Sequence, residues 1–233
     1  GTLEDVTFVE IADGTTFKTT GSGAVDAGSI GSASADLAYD DVTGEYVFVS
    51  SAVDKIVVSA DWKNLPADSV VKVGENYYKI GVNAFSKMGD AAAAMTADTV
   101  NLYVAGAVHW PGSQTIDMSA AAGDTTITFE NVSGARIGAY RTYIKGNGST
   151  VVSFNNVDGE CNIFMADLAE VKVDGNSQVS MTAYNNYDSQ GTKTFANVGK
   201  LTVAAGSVCD FSNKNQYGFG DTVFAGAGTI KTN

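Results

Sequence analysis

One twelve-residue phrase occurs twice in this chain. Gly123-Asp-Thr-Thr-Ile-Thr-Phe-Glu-Asn-Val-Ser-Gly134 is followed by Gly148-Ser-Thr-Val-Val-Ser-Phe-Asn-Asn-Val-Asp-Gly159, ungapped at an offset of 25, with six identical positions. Weaker copies begin at Gly175 and Gly206. Aligned on these, one apolar column reads Ile127, Val152, Val179, Cys209, with steps of 25, 27 and 30. A second reads Phe129, Phe154, Met181, Phe211, and a third Asn131, Asn156, Ala183, Asn213.

Repeats of this length imply a stacked array. Within each copy apolar and polar residues alternate, the period of a strand with one buried face. No copy carries a stretch at helical spacing, which excludes helical solenoids and argues against leucine-rich horseshoes. The expected fold is all-β, a parallel solenoid with one coil per repeat and equivalent residues about 4.8 Å apart. Asn131 and Asn156 should then form a buried amide ladder between coils. A second strand per coil is expected at Thr142–Ile144, Val171–Val173, Leu201–Val203 and Val223–Ala225.

The chain of 233 residues has 14 basic and 26 acidic side chains, a net charge of −12. It lacks the basic stripe that nucleic-acid binding needs, its only arginines being Arg136 and Arg141. No run of 18 apolar residues suggests membrane insertion. Twenty-six Gly against two Pro fits many tight corners. Cys161 and Cys209 fall at least two coils apart, roughly 9 Å, beyond the roughly 7 Å Cα limit of a disulfide. Both read as small buried hydrophobes.

Residues 1–80 read as an N-terminal β-region of short strands and turns, including a hairpin around Asp40–Gly44. The acidic pair Asp40–Asp41 reads as a solvated hairpin tip rather than a calcium site. Residues 81–97 hold the one helical pattern, with larger apolar residues at Phe85, Met88, Ala92 and Met95 and with Asn83 or Ser86 as N-cap. This helix is expected to cap the first coil, whose end would otherwise be exposed. Residues 98–233 form the coils.

Tyr78-Lys-Ile-Gly-Val-Asn-Ala-Phe85, the Ala-rich helix, and Asp98-Thr-Val-Asn-Leu-Tyr-Val-Ala-Gly106 together resemble the start of pectin-lyase-like parallel β-helices. Similar segments occur in bacterial surface and autotransporter-passenger-like proteins. The resemblance spans roughly residues 75–233 and implies a right-handed parallel β-helix. That family holds polysaccharide lyases, hydrolases and non-catalytic adhesins, so activity must be argued from side chains.

A lyase of this family needs a carboxylate cluster for calcium and a basic residue, and a hydrolase needs carboxylates set for acid and base work. The outward columns read Thr128, Ser153, Ser180, Asp210 and Tyr143, Lys172, Thr202, and neither pairs carboxylates. The turn acids Asp158, Asp188 and Asp221 lie in loops of unequal length. The single histidine, His109, sits in a His-Trp-Pro-Gly loop and reads as a turn residue. No catalytic residues, metal site or cofactor are assigned. Tyr184, Tyr187 and Tyr217, near coil bends and beside Asn and Gln, are the candidate ligand-binding residues, suited to stacking on sugars or protein. The expectation is a secreted or cell-surface, adhesin-like or structural module of a larger bacterial protein, binding glycan or host protein. The alternative is a polysaccharide lyase or glycoside hydrolase.

Overall fold

The computed structural model describes residues 16–17, 35–40, 45–50, 55–67, 69–74, 76–95, 101–105, 114–182, 195–212 and 219–232. Near the N-terminus, β1 (Thr16–Phe17), β2 (Ala35–Asp40) and β3 (Glu45–Ser50) form an antiparallel sheet in the order β1-β3-β2. Tyr39 faces Tyr46 and Asp40 faces Glu45, so the expected hairpin strands do pair. The next strand, β4 (Lys55–Val58), leaves this pattern. It pairs in parallel with β7 (Ala84–Phe85) and β8 (Asn101–Ala105). The long parallel sheet thus takes in a strand read from sequence as part of the N-terminal β-region. Between them, β5 (Val70–Val73) and β6 (Asn76–Lys79) make an antiparallel hairpin across Gly74. Tyr78 and Val71 of this hairpin bury the outer side of Val57, with Trp62 and Leu65 packed alongside.

The helix α1 (Met88–Ala94) is shorter than the expected 81–97. Asn83 does not cap it: its Oδ1 accepts the Lys79 backbone N–H at 2.6 Å and closes a turn. Ser86 does not cap it either, because the chain is extended through Lys87, whose side chain makes no capping bond. Ala84 and Phe85 are instead held as strand by β4, with Ser59 N–H donating to the Phe85 carbonyl at 3.1 Å. A ladder bond here outweighs the helical pattern. Met88 and Ala91 are fully buried, and α1 packs on β4, β7 and β9 (Gln114–Asp117).

The remaining strands complete a 13-stranded sheet whose pairs are all parallel. They are β10 (Thr126–Glu130), β11 (Ser133–Lys145), β12 (Val151–Asn155), β13 (Asp158–Asp174), β14 (Gln178–Met181), β15 (Ala196–Val203), β16 (Val208–Asp210), β17 (Val223–Ala225) and β18 (Thr229–Lys231). Three ladders run through them. The first joins β4, β8, β10, β12, the end of β13, β15 and β17. The second joins β9, the end of β11 and the middle of β13. The third joins the starts of β11 and β13 to β14, β16 and β18. Inward side chains from all three share one core.

The register corrects the sequence-derived columns. In the first ladder Ile127 is followed by Val152, then Val171, Leu201 and Phe224. Beside it Phe129 is followed by Phe154, Val173 and Val203. Val179 lies instead in the third ladder, between Gly159 and Cys209, and Met181 neighbours Cys161. Val171 follows Val152 after 19 residues and Leu201 follows Val171 after 30. Strands of different ladders carry the same buried–exposed alternation behind the same small polar turns, so the local pattern could not say which ladder a strand joins. Val171–Val173 and Leu201–Val203 consequently stack on the main column rather than on Thr142–Ile144, which pairs with Ile163–Met165.

At the bend after the first ladder, Asn131 and Asn156 hold left-handed φ of 54° and 53°. Asn156 Nδ2 donates to Asn131 Oδ1 at 2.7 Å. The ladder exists, but both residues are exposed rather than buried, because the bend turns them outward. The next bend has Gly175 at φ 60°, where a Cβ would lie 2.1 Å from Asn155 Oδ1. Cys161 and Cys209 are buried free thiols on either side of β14.

Candidate functional site

The outward side of the first ladder is a row of polar side chains, spaced by the strand pairing. At its start Lys55 Nζ lies 5.1 Å from the centre of the Tyr103 ring. Tyr103 Oη donates to Glu130 Oε2, and Asn155 Nδ2 donates to Glu130 Oε1 at 2.8 Å. Burial and the neighbouring carboxylate push the Tyr103 phenol up, so it remains a donor at any ordinary pH. Thr126 Oγ1 donates to Asn101 Oδ1 one strand away.

Further along, Glu170 gathers two lysines of this face. Lys200 Nζ is 3.2 Å and Lys172 Nζ 3.7 Å from its oxygens, and Thr202 Oγ1 donates to Oε1 at 2.5 Å. Burial alone would push the Glu170 carboxyl up. The Thr202 and Lys200 hydrogen bonds and the two lysine charges overcome that and hold it below the usual range. Asp210 is likewise held down, chiefly by Ser212 bonds, with Lys231 3.8 Å away.

The corrected register also regroups the acids. Glu130, Asn155 and Asp174 share one outward position on consecutive strands, and Glu160, Ser180 and Asp210 share another. Two columns therefore do contain two carboxylates each, against the sequence expectation, with a neutral polar residue between them. The acids of each column stand two strands apart, about 9.6 Å along the ladder.

A groove of about 480 Å³ runs beside the corner that leads from the second ladder back into the first. Asp167, Asn197, Phe219 and Asp221 line it, with Gly148 and Gly199. Asp167 and Asn197 occupy successive strands at left-handed φ of 57° and 52°, and Asn197 Nδ2 donates to Asp167 Oδ1 at 3.0 Å. This is a second Asx ladder. Phe219 reaches the groove from an edge-to-face aromatic cluster with Phe195, Phe211 and Phe224.

Of the sequence candidates, Tyr184, Tyr187 and Tyr217 lie outside the described residues, as do His109 and Asp188. Asp158 is exposed at the start of β13, opposite Gln178. Tyr143 is half-buried and stacked on Phe164 at 5.1 Å, so its ring is engaged by the protein. The residues that sequence reasoning missed are Tyr103, Glu130, Glu170 and the Asp167–Asn197 pair. That pair had a signal: Ala166-Asp-Leu168 and Ala196-Asn-Val198 are matching triplets 30 residues apart.

Among the described residues no three His, Cys, Asp or Glu side chains group as metal ligands, and no helix is long and apolar enough to cross a membrane. Comparison with protein families, with curated proteins and with solved structures finds no match for this chain.

Proposed function

We propose that this chain is a non-catalytic binding module at a cell surface or outside the cell. Its scaffold is a right-handed parallel β-solenoid, capped at its first coil by α1. Support for the solenoid comes from β13, whose seventeen residues contribute in turn to the third, second and first ladders. A single run that serves three ladders is what one full coil requires. The right-handed sense follows from the preference of parallel crossovers. Support for the cap comes from Met88 and Ala91, buried against the strands at that end.

The observation that carries the binding reading is the state of the polar face. Its carboxylates are tied to their neighbours, Glu130 by Tyr103 and Asn155, Glu170 by Lys200, Lys172 and Thr202. A general acid needs a raised pKa, whereas Glu170 on this face is more acidic than usual. Such a face offers fixed donors and acceptors over several strands, and the groove at Asp167 and Asn197 adds a polar edge beside Phe219. Uncharged glycans fit this chemistry best. The net charge of −12 repels polyanions.

The alternative, a polysaccharide lyase or glycoside hydrolase, draws on the column of Glu130 and Asp174. Their separation lies at the upper limit of the spacing used by inverting hydrolases, about 6.5–9.5 Å. Incubation with neutral and acidic polysaccharides, with and without calcium, decides between the two. The binding reading expects retention on immobilised neutral glycan and no reducing ends or unsaturated products. Product release that disappears in Glu130→Gln or Asp174→Asn establishes the enzyme instead.

A further inference from the structure

We infer that Asp174–Gly175 is a site of spontaneous covalent modification, where the main chain rearranges through a succinimide to isoaspartate. Among the described residues three dipeptides have the composition this reaction favours: Asn147–Gly148, Asp158–Gly159 and Asp174–Gly175. Glycine favours it because no Cβ hinders the attacking amide nitrogen. Two of the three share one triplet, Val157-Asp-Gly159 and Val173-Asp-Gly175. Local sequence cannot rank these two; the fold separates them.

Asn147 is held at both ends of its side-chain amide. Its Nδ2 donates to the Ala121 and Gly123 carbonyls at 3.0 and 2.8 Å, and its Oδ1 accepts the Ser149 N–H at 2.9 Å. The Gly148 N–H, which would have to attack, donates to the Asp167 carbonyl at 2.9 Å. Gly159 lies within β13, paired with Ala135 on one flank and Val179 on the other. Asp174, by contrast, is exposed at the end of β13, and the Gly175 N–H donates to its Oδ1 at 2.7 Å. That sets the nitrogen about 3–3.5 Å from Cγ, the range of a near-attack contact. Gly175 and Asn176 hold φ of 60° and 61°, and the Ser177 N–H closes the turn on the Asp174 carbonyl at 3.0 Å. Nucleophile and carboxyl are thus fixed together in one turn.

The Gly175 nitrogen attacks Cγ of the carboxylic acid, and a new N–C bond closes a five-membered ring. The amide proton and the carboxyl hydroxyl leave as water. Water then adds to the main-chain carbonyl and breaks the original peptide bond, which leaves isoaspartate with no net change in composition. The chain at the bend gains one carbon, and the former carbonyl of Asp174 becomes a free carboxylate. Ser177 binds that carbonyl through both its N–H and its Oγ. The bend between the first and third ladders therefore loosens, beside Asn155 of the polar face.

The test is ageing of the folded full chain in mildly acidic heavy-oxygen water, followed by peptide mapping with fragmentation that distinguishes isoaspartate. Asp174 should take up heavy oxygen and form isoaspartate at least about tenfold faster than Asp158, while Asn147 keeps its amide. In denaturant the two Val-Asp-Gly triplets should react at similar rates. Asp174→Glu, which keeps the charge but would need a six-membered ring, should abolish the product at this position. Equal rates at Asp174 and Asp158 in the folded chain overturn the proposal. So does a difference that persists undiminished in denaturant, or loss of the Asn147 amide before Asp174 reacts.

Discussion

Asn156 donates its side-chain amide to Asn131 Oδ1 across adjacent strands, and both residues hold left-handed backbone at φ 53° and 54°. Two effects then meet in one side chain. Asn tolerates this conformation better than other residues with a Cβ, and its amide bridges one strand to the next. Asn156→Ala should lose both and destabilise the fold by about 1–2 kcal/mol. Asn156→Gly loses the exposed hydrogen bond but keeps the backbone relaxed, so its cost should be about half or less. Urea denaturation of both variants checks this. Equal losses in Ala and Gly would show that the backbone contributes nothing.

The strongest packing prediction concerns Phe129 and Phe154, both fully buried, with ring centres 5.1 Å apart and planes within 10°. Phe154→Ala removes a large side chain from a core whose backbone is pinned by ladders above and below. A loss of about 3–5 kcal/mol is expected. A double-mutant cycle with Leu at both positions should return a coupling of about 0.5–1.5 kcal/mol for the stack. A loss below about 1 kcal/mol for Phe154→Ala would mean that this column is not core.

The parallel strands were legible because Gly123–Gly134 and Gly148–Gly159 differ by an ungapped offset, so Ile127 on Val152 and Phe129 on Phe154 could be written down directly. The signal failed at the next step for a physical reason. Val179 and Val171 sit in strands with the same alternation, and only the short 19-residue return from Val152 to Val171 distinguishes them. Loop length, not side-chain pattern, sets that register. The Asn131–Asn156 bond was foreseen, but not its exposure, since burial at a bend depends on which way the left-handed residue turns its side chain. Glu170 was invisible as a hub because Lys172, Lys200 and Thr202 converge on it only once Val171 is placed on Leu201.

Cys161 and Cys209 should behave as inert core residues. Burial pushes the Cys161 thiol up to about 12, and burial raises Cys209 as well. Only the thiolate reacts readily, so neither should label with a thiol reagent at neutral pH in the native state. Both should label at once in denaturant. Cys209→Ala should cost about 1 kcal/mol or slightly more through the cavity it leaves. Rapid native labelling at either site would place it in a solvent-accessible segment.

The pH dependence of stability follows from Glu170, whose side chain is 16% exposed. Burial opposes its charge, but Thr202, Lys200 and Lys172 reverse that and lower its folded pKa beneath the ordinary 4.5. A carboxyl with a depressed folded pKa contributes stability above its unfolded value. That contribution is lost as pH falls through the folded value, where both states bind the proton. The wild type should therefore be more stable than Glu170→Gln at neutral pH, and the difference should shrink as pH falls below about 4.5. Lys200→Met removes the nearer ammonium, so the Glu170 titration, followed by carboxyl-carbon NMR, should move upward toward the ordinary value. Lys172→Met should move it less, because its ammonium is 3.7 Å away rather than 3.2 Å. An unmoved titration in Lys200→Met would mean that this lysine is held in solvent and that Thr202 and Lys172 keep Glu170 acidic.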